Sequence, residues 1–303
     1  MQKVLIISNI KDEARSLQRP VVQKFMDGIN ASHDNLHLSF CAVQELIFTV
    51  TDGIPGIQLQ GNELKDVYTV FHLRNANMFP DYASALQLYC GHYGIRFINE
   101  GDSNMSYFGK VSQGLLYAIN GIPTPDFVSS PRNSNLFAYL ETHAPVYPFI
   151  LKHNNGIKGK DNYLIQDKKQ LEKILLQENQ GYVAQPFIRN KGELRVLTFG
   201  PDMIPMVFQK TAVAGTHLNN TSQGGEAIEI DARNVDPAII ETAKKAAKLT
   251  KRTIAGVDVL LANDGSWCIL ETNSTPSLAS GVMVDKKQRF YSEYLLSLGK
   301  EMQ

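Results

Sequence analysis

The segment from Gly256 to Pro276, GVDVLLANDGSWCILETNSTP, constrains this chain more than any other. It sets Asp258, Glu271 and Asn273 among residues that read as buried strand. Val257, Val259, Leu260 and Leu261 surround the Asp, and Trp267, Cys268, Ile269 and Leu270 lead into the Glu. Asn263-Asp264-Gly265 between them is a tight-turn signal. The pattern predicts a two-stranded hairpin with one carboxylate near its start and one near its end. The turn brings those ends side by side, so two carboxylates and an amide oxygen converge at one sheet edge. Holding two carboxylates close together in an apolar setting is costly without a cation. Hard divalent cations favour oxygen ligands, and magnesium commonly takes one or two carboxylates plus substrate phosphates. Carboxylates at hairpin ends are ordinarily solvated or paired with Lys. The apolar flanks and the abrupt strand end before Ser274-Thr275-Pro276 argue against that here.

The remainder of the chain narrows the class. Its 303 residues, 43% of them hydrophobic, leave room for two or three packed units. Lys plus Arg equals Asp plus Glu at 30 each, so nothing global points to nucleic acid or an anionic membrane. Cys41, Cys90 and Cys268 are widely spaced, with no CxxC pair, and fit reduced thiols in a cytoplasmic setting. The N-terminal MQKVLIISNI reads as a first strand rather than a signal peptide. No run approaches the ~20 apolar residues of a membrane span.

The first hundred residues alternate strand and helix. Strands are predicted at Val4 to Ser8, Leu36 to Phe40, Val67 to Leu73 and Arg96 to Ile98, with helices over 16 to 30 and Tyr82 to Tyr93. That rhythm predicts a small open parallel sheet. A helix from Lys110 to Asn120 leads into the connection Ile122-Pro123-Thr124-Pro125. Strands follow at Phe149 to Lys152, Asn162 to Ile165 and Tyr182 to Phe187, and then at Leu194 to Phe199, Ile204 to Gln209 and Ala227 to Ile230. A helix from Pro237 to Leu249, with Asp236 as N-cap, precedes the hairpin.

Three further stretches could carry chemistry. In FILKHNNGIKGKDNYLI, Lys152 closes an apolar strand, and Gly156 and Gly159 follow in a loop whose backbone could approach phosphate oxygens. It is not a P-loop, because no GxxxxGK[ST] is present and no helix follows. A basic hairpin loop with Lys158 and Lys160 in solvent is the plainer alternative. In VAQPFIRNKGELRVLTFG, the strand exit Gln185-Pro186-Phe187-Ile188 could face an adenine edge, or be an ordinary hairpin. The polar stretch QKTAVAGTHLNNTSQGG holds Lys210, His217 and Asn220. Neither GxSxG nor HExxH occurs.

Taken in order, these pieces resemble the ATP-grasp superfamily, and within it the RimK-like carboxylate–amine ligases. GVDVL…LETNSTP is similar to that family's GvDil…EvN.sPg, NTSQGG to its N-x-x-x-G-G, FILKHNNGIKG to its Lys strand and glycine loop, and FGKVSQGLLYAINGIPTP to its lead-in helix. The similarity runs from about Asn99 to the C-terminus.

The resemblance implies an α/β (α+β) fold. An N-terminal open parallel α/β domain (1–105) would be followed by a two-lobed ATP-grasp domain, with lobes at 106–188 and 189–303 and the nucleotide between two sheets. It implies that Lys110 and Lys152 contact ATP phosphates and that Gly156 to Gly159 form the loop over the triphosphate. Gln185, Phe187 and Ile188 would make the adenine hinge, and Glu193 would bind the ribose side. Asp258, Glu271 and Asn273 would hold two Mg²⁺ ions (or Mn²⁺), with Glu271 bridging, and Asn220 would reach the phosphate-side metal or the substrate. Arg195 and Lys210 would stabilise the transferred phosphoryl group and an acyl-phosphate. The implied activity is ADP-forming ligation of a carboxylate and an amine, on a peptide, a protein or an amino acid, in a homo-oligomer. A small-molecule kinase, a peptide-tailoring ligase or a non-catalytic nucleotide-binding module are the alternatives. The chain departs from the family at Lys210-Thr211, where paired arginines are favoured, and at Leu218, Pro186, Ser277 and Asp161.

Overall fold

The computed structural model describes residues 1–9, 12–74, 78–103, 107, 109–143, 145–156, 161–177, 181–211 and 226–300. The chain begins with β1 (Gln2–Ser8), α1 (Asp12–Ser32) and β2 (Leu36–Ala42). β3 (Leu46–Thr51), β4 (Ile54–Leu59) and β5 (Asn62–Glu63) form a small antiparallel sheet. Helix α2 (Leu64–Val67), β6 (Val70–Arg74), α3 (Pro80–Tyr93) and β7 (Arg96–Ile98) complete the first unit. Its main sheet is parallel in the order β2-β1-β6-β7, as the apolar runs predict. The β3–β4 hairpin is not anticipated by that pattern, although Asp52-Gly53, with φ of 51° and 78°, is the dipeptide a two-residue turn favours.

A second unit starts with α4 (Lys110–Ile119), β8 (Val128–Ser130) and α5 (Asn133–Thr142). It continues through β9 (Phe149–His153), β10 (Asn162–Ile165), α6 (Lys168–Gln177) and β11 (Tyr182–Pro186), whose four strands pair antiparallel as β10-β9-β11-β8. The third unit holds β12 (Asn190–Phe199), β13 (Met206–Thr211), β14 (Glu226–Ile230), α7 (Pro237–Leu249), β15 (Ile254–Ala262), β16 (Trp267–Asn273) and α8 (Val284–Lys300). Its strands lie antiparallel in the order β14-β13-β12-β15-β16. Asp236 caps α7 by accepting from the Ala238 N–H.

Side-chain alternation on this sheet positions everything that follows. Leu194, Val196, Val207, Ala255, Val257, Val259 and Ile269 face α7 and form one core. The intervening residues face the other way, and at one end they are apolar. There Leu197, Phe199, Met206, Phe208 and Ile254 pack with α8 and with Val4, Ile6, Phe25 and Ile29 of the first unit. At the opposite end the same face carries Glu193, Arg195, Lys210 and Asp258, set by cross-strand pairing of Glu193 with Lys210 and of Arg195 with Asp258. The valines beside Asp258 make it look like core, but they point to the other side of the sheet. The four-stranded sheet of the second unit has its own core, including Leu136, Leu151, Leu171 and Tyr182.

Candidate active site

A β-bulge creates the carboxylate pair. Val259 pairs with Ile269 and Asp258 pairs with Glu271, so Leu270 is an extra residue in β16. Without it, period-two alternation would turn Glu271 toward α7 and leave Leu270 opposite Asp258. With it, Glu271 and Asn273 share the face of Asp258. The Asn273 Nδ2 lies 3.3 Å from Asp258 Oδ2 and 2.9 Å from Glu271 Oε1.

Asp258 is the most heavily engaged group. Arg195 grips it with two donors, Nε to Oδ1 at 2.5 Å and Nη2 to Oδ2 at 2.7 Å, and Lys210 Nζ donates to Oδ1 at 2.7 Å. Lys210 also lies 3.4 Å from Glu193 Oε2. Gly256 lets Arg195 lie flat, since a Cβ there would stand 2.9 Å from its Cδ and 3.0 Å from its Nη1. Burial opposes the charge on Asp258, but Arg195 and then Lys210 outweigh it and hold the carboxyl below the usual carboxylate range. Sequence patterning separates Arg195 and Lys210 from Asp258, whereas the structure joins the three in one cluster.

Helix α4 connects this cluster to the glycine loop. Lys110 Nζ donates to the Gly156 carbonyl at 2.9 Å and the Asn154 carbonyl at 3.3 Å, and lies 3.8 Å from Glu271 Oε2. Asn154 Oδ1 accepts from the Val111 N–H, capping the helix start. Lys152 is different: its ammonium has no hydrogen-bond or ion-pair partner among the described residues. Burial lowers its pKa, while Glu271 and Glu193 act in the opposite direction. It is a desolvated cation near the end of β9, within electrostatic reach of Glu271 and Glu193. Gly159, His217 and Asn220 lie outside the described residues.

Gln185 is the half-buried penultimate residue of β11, and Phe187 and Ile188 are half-buried in the short link from β11 to β12. That link joins the sheet bearing Lys152 to the sheet bearing Asp258. Cys268 also belongs to this region, since Lys152 and Glu193 both act on its thiol. Motif reading passes over Cys268 and the buried pair Gln113 and Tyr117. Gln113 and Tyr117 stand at i+3 and i+7 from Lys110 on one face of α4, a spacing the sequence shows, while their partner Thr272 is not visible in it.

The donor chemistry fits a hard divalent cation. Asp258 and Glu271 offer carboxylate oxygens, both met here by the Asn273 Nδ2, and Asn273 would offer its amide oxygen to an ion once that amide turns over. Among the described residues no group of three His, Cys, Asp or Glu gathers anywhere, this site included, so an ion here would rest on two carboxylates, an amide and its substrate. An ion bound by Asp258 competes with Arg195 and Lys210 for the same two oxygens.

Two sheets joined by a short hinge, with Lys152 and the adjoining Gly156 on one and the Asp258–Glu271 pair on the other, define the ATP-grasp class. The chain belongs to the RimK-like ATP-grasp family, whose domain model matches residues 110–288. It is 22% identical over 249 residues to beta-citrylglutamate synthase B of Danio rerio, covering 80% of this chain and 60% of that protein. The chain therefore spans about three fifths of the length of that relative. It is 26% identical over 248 residues to a probable alpha-L-glutamate ligase of Thioalkalivibrio sulfidiphilus, covering 78% of this chain and 79% of that one. A RiPP-associated ATP-grasp ligase of Chryseobacterium gregarium, solved with ADP and a leader and core peptide, shares the fold at a TM-score of 0.69 and 14% identity. That likeness covers 98% of this chain and 97% of the other.

Proposed function

We propose that this protein is an ADP-forming carboxylate–amine ligase that uses ATP and Mg²⁺ to make an amide bond. The observation that carries the proposal is the convergence of Lys110, Lys152 and Asp258 around Glu271. Family membership and the ligase names of the relatives support it. In the first step a substrate carboxylate oxygen bonds to the γ-phosphorus and the bond to the β–γ bridging oxygen breaks, so ADP leaves with the electron pair. In the second an amine nitrogen bonds to the acyl carbon, phosphate departs and the nitrogen loses a proton.

The protein's part is positioning and charge neutralisation. Lys152 and Lys110 hold the triphosphate against the Gly156 loop. Asp258, Glu271 and Asn273 hold Mg²⁺, which when bound neutralises charge on the phosphates. Arg195 and Lys210, beside Asp258, face the transferred phosphoryl group. Gln185, Phe187 and Ile188 border the base, and Glu193 the ribose. The relatives' names favour an amino-acid or peptide substrate. Three free cysteines fit a cytoplasmic setting, and exposed Leu115 and Ile119 on α4 fit a homo-oligomer.

An ADP-release assay over paired carboxylates and amines, with mass detection of product, tests the reaction. An amide product is expected, and a phosphorylated alcohol would instead favour a kinase. Glu271→Gln should remain folded and lose about 100-fold or more in turnover. Turnover in that variant within a few-fold of the parent would reject the Glu271 assignment.

A further inference from the structure

β16 is the outer strand of its sheet, and it carries both Glu271 and Asn273. An edge strand presents unpaired backbone groups and is held on one side only. Between the two site residues lies Thr272, buried, with its N–H and carbonyl directed to the free edge. A single side chain answers both. Gln113 Oε1 accepts from the Thr272 N–H at 2.7 Å, and Gln113 Nε2 donates to the Thr272 carbonyl at 3.2 Å. The primary amide thus takes the place of a peptide group in a missing neighbouring strand. Arg252 Nη1 donates to the same carbonyl at 2.8 Å, and the Tyr117 hydroxyl bonds both Thr272 Oγ1 at 2.7 Å and Gln113 Oε1 at 3.0 Å.

We propose that Gln113 is a positioning residue for the metal site. It fixes the backbone of Thr272 and so sets the directions of Glu271 and Asn273 on either side. It also lies one turn along α4 from Lys110, so one helix aligns a phosphate-contacting lysine with the metal ligands. The inference rests on the reading of Asp258, Glu271 and Asn273 as metal ligands. A bulge immediately before Glu271 makes such support necessary, because an irregular edge strand has few other constraints on its register.

The test measures Mn²⁺ binding in the presence of ADP by electron paramagnetic resonance, alongside urea unfolding. Gln113→Met keeps the volume and removes the hydrogen bonds. Its Mn²⁺ affinity should fall about 10–100-fold, the range for groups that orient metal ligands. Leu140→Ala, in the separate core of the second unit, serves as a destabilised control and should leave Mn²⁺ affinity within twofold. Gln113→Glu keeps the acceptor for the Thr272 N–H and carries the same comparison if the Met variant does not fold. A folded Gln113 variant with Mn²⁺ affinity within twofold of the parent overturns the proposal. Glu271→Gln separates the two readings. If it too binds Mn²⁺ normally, the metal site lies elsewhere; if it alone loses binding, Gln113 is structural only.

Discussion

At the scale of single residues, the cluster around Asp258 is better understood as chemistry than as stability. Removing two charges from water costs several kcal/mol per ion, and their attraction repays it only with good geometry. Arg195 supplies that geometry with a two-pronged contact, yet an apolar trio of similar volume would serve the fold equally well. Cys268 reports on the same region. Burial, with a smaller upward push from Glu193 and a downward pull from Lys152, places its thiol at about 11. Reaction with iodoacetamide requires the thiolate, which is about one part in a thousand at pH 8. Alkylation of the folded protein should therefore be slow at pH 8 and accelerate about tenfold per pH unit up to pH 10. Cys41 and Cys90 are buried, with thiols pushed far up, so label should reach them only on unfolding. Mg²⁺ and ADP should slow the labelling of Cys268. Mass spectrometry after timed quenching reads all three sites, and indifference to nucleotide would remove Cys268 from that region.

At the scale of elements, the bulge in β16 absorbs Leu270 and so keeps Glu271 on the face of Asp258. Deleting Leu270 removes the bulge without turning Glu271, because Glu271 then follows Ile269 directly and stays opposite Asp258 in regular pairing. The variant should therefore still bind Mn²⁺, since the bulge serves to place Leu270 out of the alternation. Metal titration of the folded variant, checked by urea unfolding, measures this, and loss of binding would show that the bulge does more than absorb the extra residue. This element also marks the limit of what is legible in the sequence. The hairpin itself is legible, because Asn263-Asp264-Gly265 separates two apolar runs. The bulge is not, because Leu270-Glu271-Thr272-Asn273 continues a strand pattern without a Gly or Pro to mark a break. The contact of Arg195 and Lys210 with Asp258 is equally hidden. It depends on the register of strands far apart in sequence, which local periodicity does not encode. Gln113 escapes notice for the same reason, as its partner is a backbone group 159 residues away.

At the scale of the molecule, hydrophobic packing groups the chain differently from its order along the sequence. The first unit closes one face of its parallel sheet against Phe199, Phe208, Tyr291 and Leu295 of the third. Polar contacts cross the same seam. Asn99 brackets Ile254 through both its N–H and its carbonyl, Arg74 donates to the Pro276 carbonyl at 3.0 Å, and His72 lies 2.7 Å from the Tyr291 hydroxyl. The second unit instead encloses its own core within residues 136 to 184. Each buried aliphatic or aromatic side chain returned to water costs about 1.5–3 kcal/mol, against total stabilities of about 5–15 kcal/mol. The first unit should therefore not survive unfolding of the third. Calorimetry should show two transitions, one for the part of the second unit from β8 to β11 and one shared by the other two units and α4, whose Tyr117 packs in the third unit's core. The shared transition should also respond to acid. Burial, and then Arg74, holds His72 neutral in the fold with its pKa well below the ordinary 6.5. The unfolded chain takes up that proton as pH falls through about 6.5, so it binds more protons than the folded form and stability is lost on acidification. Through this residue the loss approaches about 1.4 kcal/mol per pH unit below that point. His72→Gln should flatten the pH dependence of the shared transition and leave that of the second unit as it was. A scan in which residues 1–105 melt independently, or in which His72→Gln leaves the acid slope unchanged, would refute this account of how the units are joined.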